Sequence, residues 1–247
     1  MNRNELVEKY LDGIVREGYS SSKENARFYL NYLFQDVSFS GRSMLDVGGG
    51  PGWLSLYATC MGAKPVICIE LELEGSRRGA PSKFKQLSET LSLDNVNFQS
   101  VTFQDFDPGP GNQTFDIILL HNSINHLDEE ACINLRRSDN ARNRYKSLFQ
   151  KLSELAGPGT KLIICDCSRY NFFALLRLKN PFAPSIEWHK HQSPKYWSKM
   201  LHDFGFVNPQ IRWISPSRLR AIGRFLFDNR FASYFLTSHF CLVTDKK

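Results

Sequence analysis

Apolar residues along this chain fall into short unbroken runs, and the stretches between them carry helical spacing. Residues 4–18 and 22–34 read as two helices, the second with Phe28, Leu30 and Leu33 on one stripe and Ser21 or Ser22 as its N-cap. Gly41 breaks the chain, and from there strands and helices alternate. Strands are predicted at 43–47, 66–70, 96–103, 116–120 and 161–166, and helices at 53–61, 82–91, 128–136 and 142–156. The strand runs are continuously apolar rather than alternating, which is the pattern of a parallel sheet covered by helices on both faces. Gly157-Pro158-Gly159 is expected to end the long helix and turn into the fifth strand.

The rhythm changes beyond that strand. Residues 169–193 are aromatic, basic and broken by proline, with no clear element. A helix is expected at 194–204, opened by Ser193-Pro194 and closed by Gly205. Two more strands are expected at 210–214 and 233–244, with a basic amphipathic segment, 217–229, between them. The expected fold is α/β, doubly wound: a mostly parallel seven-stranded sheet with an antiparallel last strand, helices on both faces and an N-terminal helical cap over residues 1–40.

Composition narrows the picture. The chain has 247 residues, 42% of them apolar, enough for one sizeable core. It has no apolar run near the roughly 18–20 residues of a membrane span. Its first ten residues are polar and charged, so no secretory leader is expected and the cytoplasm is the expected compartment. The six cysteines form no Cys-x-x-Cys pair, so no metal is expected and the thiols read as small core residues. Net charge is +6 but uneven: residues 168–247 carry a balance of +9, residues 1–167 one of −3. A basic C-terminal third attracts anionic acceptors or surfaces.

The chemistry concentrates at Asp46-Val47-Gly48-Gly49-Gly50-Pro51-Gly52. A strand that ends in an acid and turns through close glycines into a helix is a nucleotide-binding device. Glycine permits positive φ and lets a ligand reach the main chain, and the helix start offers N–H groups. The spacing is G-x-G-x-G rather than the G-x-G-x-x-G that seats a pyrophosphate, which points to a nucleoside cofactor without phosphate. Glu70 lies 18 residues past Gly52, close to the spacing at which an acid on the next strand meets ribose hydroxyls.

In order and spacing these segments resemble the class I methyltransferases that use S-adenosylmethionine. Leu45–Gly52 is similar to that family's first motif, and Ile67-Cys68-Ile69-Glu70 to its second strand with a ribose-holding acid. Phe103-Gln104-Asp105-Phe106 resembles the segment whose Asp meets the adenine amine, and Phe115–Ile118 with Asn125-His126-Leu127 resembles the fourth-strand motif. Leu155–Leu162 resembles the turn into strand five, and an insertion of about fifteen residues inside the final strand pair departs from the pattern. The resemblance implies a methyltransferase domain over 41–247, with 169–193 and 215–232 as lid or acceptor insertions. It implies S-adenosyl-L-methionine as cofactor, S-adenosyl-L-homocysteine as product, and a cofactor site made of Asp46, Gly48, Gly49, Gly50, Gly52, Glu70, Leu71, Asp105, Phe106, His121 and Asn122.

Methyl transfer from a sulfonium is an in-line displacement, so alignment matters more than proton transfer, and a base is needed mainly for a poorly acidic hydroxyl. His126 is the expected base, with Trp188-His189-Lys190-His191 as a second candidate group. The position after strand four reads His121-Asn122-Ser123-Ile124, not the Asp/Asn-Pro-Pro-aromatic or Pro-Cys of DNA methyltransferases, so no DNA acceptor is expected. A small molecule methylated at oxygen is expected, from a secondary-metabolite pathway or a glycan or lipid precursor of the cell surface. A weak contact of 172–179 and 219–227 with an anionic membrane is a further expectation, and the oligomeric state is open. The rival readings are a nucleotide-dependent oxidoreductase and a non-catalytic binder of the cofactor.

Overall fold

The first helix begins where its own side chains can close it. Asn2 accepts the Glu5 N–H and the Glu5 carboxylate accepts the Asn2 N–H, a reciprocal cap that starts α1 (Arg3–Arg16). In the computed structural model, which describes residues 2–71, 79–109, 114–213 and 229–247, α1 buries Tyr10, Leu11 and Ile14. Ser22 caps α2 (Lys23–Leu33) through the Asn25 N–H.

Strands and helices then alternate: β1 (Met44–Val47), α3 (Trp53–Cys60), β2 (Val66–Ile69), α4 (Ala80–Leu91), β3 (Val96–Gln99) and β4 (Phe115–His121). After β4 come α5 (Glu129–Asn134), α6 (Asp139–Glu154) and β5 (Ala156–Cys167). The chain ends with α7 (Phe172–Leu175), α8 (Pro194–His202), β6 (Phe206–Trp213), α9 (Arg230–Phe235) and β7 (His239–Lys246). The sheet order is β3-β2-β1-β4-β5-β7-β6. β1 runs parallel to β2 and β4, β2 parallel to β3, and β7 antiparallel to both its neighbours.

The chain forms two compact units, Met1–Pro110 with Phe115–Leu119, and Gly111–Thr114 with Leu120–Lys247. In the first, β1 and β2 are buried along their whole length, as continuous apolar runs require. Its N-terminal helices are fastened to α3: Tyr10 donates to the Trp53 carbonyl at 2.8 Å, and Tyr19 stacks on the Trp53 ring at 6.5 Å. In the second, α6 and α8 pack through Tyr145, Phe149 and Trp197, with ring centroids 5.2–5.9 Å apart.

Several expectations change: the strand expected from 210 already begins at Phe206, and the stretch expected to hold no element carries α7. α6 stops at Glu154, before the Gly-Pro-Gly, and β5 already begins at Ala156, so the glycines lie inside the strand and Gly159 takes φ 81° there. The strand expected over 233–244 is a helix, capped by the Asn229 side chain, up to Phe235, and a strand only from His239. Asn229 outweighs the aromatic strand propensity of Phe231, Tyr234 and Phe235, because a satisfied cap starts the helix. The third strand ends at Gln99 instead of 103. The amphipathic segment expected over 217–229 lies, but for Asn229, outside the described residues.

Candidate functional site

In the first unit the turn after β1 is built by main-chain geometry. Gly48, Gly50 and Gly52 take φ of 69°, 56° and 70°, the left-handed region that glycine enters without strain. The Ile69 carbonyl accepts the N–H groups of Gly48 at 2.8 Å and Gly49 at 3.2 Å. A Cβ on Gly49 would stand 2.6 Å from the Cys68 sulfur and 2.7 Å from Asp46 Oδ2, and one on Gly52 would stand 2.4 Å from Phe84. A Cβ on Gly50, by contrast, would meet nothing within 4 Å. Two of these glycines are therefore demanded by packing, while Gly50 leaves the main chain approachable.

Two carboxylates flank the turn. Glu70, just past β2 and 6% exposed, accepts the Gly50 N–H at 2.9 Å. Asp46 is fully buried in β1; Oδ2 accepts the Ser55 hydroxyl at 2.7 Å and Oδ1 has no partner within the protein. Burial above all, with the Glu70 charge adding to it, pushes the Asp46 carboxyl up to about 7, although the Ser55 hydrogen bond pulls the other way. Leu71 follows Glu70 half-buried. Asp105 lies on an exposed turn after β3, accepting the Thr102 hydroxyl at 2.6 Å. Phe106 is buried with its ring 6.4 Å from that of Phe115, and its N–H is given to the Thr102 carbonyl.

In the second unit the candidate groups lie where β4 and β5 end. His121 closes β4, and Asn122 follows with φ 54°, its N–H given to the Cys165 carbonyl at 2.7 Å. His126 sits on a short 3-10 turn, Ile124–His126, with Nδ1 3.2 Å from Glu129 and its side chain 39% exposed. His191 and Asp166 meet at 2.9 Å, and His239 Nε2 lies 3.1 Å from the Cys167 sulfur. Burial drives both His121 and His239 down to about 4, so both are neutral at pH 7; in each, a neighbouring histidine adds to the depression. Among the described residues no group of His, Cys, Asp and Glu is arranged to hold a metal ion.

Sequence reading named His191 only as one of a cluster and did not name Asp166 or His239 as functional. A signal was present: Asp166 stands near the end of an apolar strand, as Asp46 does. Its partner lies 25 residues away, a pairing that only the fold creates.

The second unit also holds a cleft of about 920 Å³, whose described lining includes Tyr170, Ile211, Trp213, Phe231 and Tyr234 together with Lys195 and Arg230. Around it the surface is apolar: Leu175 is 73% exposed and Leu176, Leu178 and Phe182 are exposed with it. No helix among the described residues is long and apolar enough to cross a membrane.

Residues 21–211 match the family described as "Methyltransferase domain". No curated protein matches the chain. Among solved structures it is similar to a SAM-dependent methyltransferase from Aquifex aeolicus (17% identity, 90% of this chain and 98% of that one, TM-score 0.56). A similar likeness joins it to an S-adenosylmethionine-dependent methyltransferase from Mesorhizobium loti (12%, 88% and 96%, TM-score 0.58). A third structure is the N-methyltransferase NodS from Bradyrhizobium japonicum (10%, 90% and 96%, TM-score 0.53).

Proposed function

Since the chain belongs to the methyltransferase domain family and is an S-adenosylmethionine-dependent methyltransferase, we propose that it transfers the methyl group to an oxygen of a small, largely apolar molecule. The cofactor brings an activated methyl group on a sulfonium. The residues of the first unit fit it. Gly50 exposes main chain with open space beside it, the buried Glu70 carboxylate suits ribose hydroxyls, and Asp46 keeps a buried oxygen without a protein partner. Asp105 is the acceptor for the adenine amine, with Leu71 and Phe106 as the apolar surroundings of the ring.

The observation that carries the small-molecule reading is the cleft of the second unit. Its volume of about 920 Å³ is that of a site for one small ligand. Aromatic walls exclude water from an apolar body, and Lys195 and Arg230 hold an anionic substituent.

Label transfer from S-adenosylmethionine carrying a radioactive methyl to a panel of phenols, alcohols, carboxylic acids and amines tests this. Methyl ethers of apolar hydroxyl compounds are the expected products. Trp213→Ala is expected to raise the KM for the acceptor about tenfold or more, by removing an aromatic wall, with cofactor affinity unchanged. A cofactor-binding protein that labels no member of the panel, or labels amines alone, refutes the reading.

A further inference from the structure

The Asp166–His191 pair has the construction of an oriented base. Asp166, the penultimate residue of β5, is 1% exposed. Its Oδ1 accepts the Cys167 N–H at 2.7 Å and lies 2.9 Å from His191 Nδ1, while Oδ2 is buried with no partner in the protein. A carboxylate only accepts, so Nδ1 carries the proton in this contact, and in the neutral ring that leaves Nε2 as the acceptor. The His191 side chain is 13% exposed, enclosed yet reachable, whereas His126 is 39% exposed beside a solvated glutamate.

The backbone of His191 is fixed as firmly as its ring. The next residue, Gln192, is fully buried; its amide donates to the Cys132 carbonyl at 2.8 Å and its oxygen accepts from Arg136 at 3.1 Å and Arg169 at 3.3 Å. The preceding residue, Lys190, pairs with Glu129 at 2.9 Å and Glu187 at 2.7 Å, and its carbonyl accepts the Cys132 thiol. A surface loop with no task needs no such anchoring. The same two segments supply the wall of the apolar cleft two residues further on, through Ser168 and Ser193.

We propose that His191, oriented by Asp166, is the catalytic base that takes the proton from a hydroxyl of the methyl acceptor. This rests on the small-molecule reading and deepens it, since only a poorly acidic hydroxyl needs such a base. The acceptor's O–H bond breaks as its oxygen forms the bond to the methyl carbon. The pair of the breaking carbon–sulfur bond stays on sulfur, the proton settles on Nε2, and it leaves to water after product release. Asp166 stabilises the imidazolium and keeps the ring in register, a positioning role. Asp166 on β5 meets the ring and His239 on β7 is the neighbouring titratable group that feels it; His239 stays neutral at pH 7 and adds no charge, while Arg136 and Arg169 bring their guanidiniums to the adjoining Gln192 and Cys132 on α5 bonds the Lys190 carbonyl.

Two independent measurements test this. Long-range nitrogen NMR on the 15N-histidine-labelled protein is expected to show His191 with a protonated Nδ1 and a bare Nε2 at pH 8, and Asp166→Asn is expected to disturb that tautomer. A bare Nδ1, or an imidazolium persisting at pH 8, overturns the proposal without any acceptor. With a hydroxyl acceptor from the panel, His191→Gln is expected to lower kcat by about 100-fold or more, leaving cofactor affinity within about twofold, and to abolish the rise of kcat with pH. Hydroxyl methylation at the parent rate in His191→Gln defeats the base while leaving the small-molecule reading intact. A parent protein that binds cofactor but methylates no hydroxyl defeats both. The NMR measurement on the parent protein stands even where a variant fails to fold.

Discussion

At the scale of single residues, the glycine turn separates space from conformation. Gly52 cannot accept a Cβ without moving the Phe84 ring, and Gly50 can. Both sit at positive φ, where an L-residue carries about 1–3 kcal/mol of strain. Gly52→Ala is therefore expected to lower stability in urea titration by more than Gly50→Ala does, because repacking adds to strain. Gly50→Ala is expected to show its larger effect in calorimetry, as lost cofactor affinity, because its new methyl enters the open side of the turn. Glu70→Ala, which removes the acceptor we assign to the ribose hydroxyls, is expected to weaken cofactor binding by about 1–3 kcal/mol. Unchanged affinity in that variant would remove Glu70 from the site.

At the scale of elements, the decisive features are where strands end and what caps the helices. The tips of β1 and β2 in one unit and of β4 and β5 in the other carry Asp46, Glu70, His121 and Asp166, the positions at which parallel sheets bind ligands. The short helix α7 is of another kind. It presents Leu175, and the chain after it presents Leu176, Leu178 and Phe182, all exposed, beside Arg177 and Lys179. The membrane expectation for 172–179 rests on that row of exposed apolar side chains beside cations, the composition of segments that lie on anionic lipid. Co-sedimentation with vesicles rich in phosphatidylserine at low salt is expected, with release as salt rises, and Leu175→Glu with Leu178→Glu is expected to reduce it. A pellet independent of lipid charge, or none at all, retires the membrane contact proposed for this segment.

At the scale of the whole molecule, buried titratable groups set the response to acid. His121 and His239 have folded values near 4 against about 6.5 when unfolded, so both lose stability as pH falls from about 6.5 toward 4. Asp46, raised to about 7, works in the opposite direction: between its unfolded value near 4 and 7 the folded form holds the extra proton, and stability falls as pH rises. Two histidines outweigh one aspartate over the shared window. Net stability is expected to drop as the pH falls below about 6.5, in chemical denaturation followed from pH 7 to pH 5. His121→Gln is expected to flatten that slope, and a slope of opposite sign would mean that Asp46 governs.

The sequence by itself determined the order of strands and helices, the glycine turn and the acids at strand tips, because each is written locally: in hydrophobic period, in turn-forming residues, in spacing along one segment. It misplaced the Gly-Pro-Gly, which lies inside β5, and it took residues 233–238 for strand where a capped helix stands. Local propensity was outweighed there by strand pairing and by a single satisfied cap. Only the tertiary structure decided which histidine meets which carboxylate. Asp166 and His191 are 25 residues apart and His239 is 72 beyond Cys167; β5–β7 pairing brings the second pair together, and the buried anchors of Gln192 bring the first. Contacts of that range follow from the sheet register and from what burial forces polar groups to find, and neither leaves a mark in the spacing of one segment.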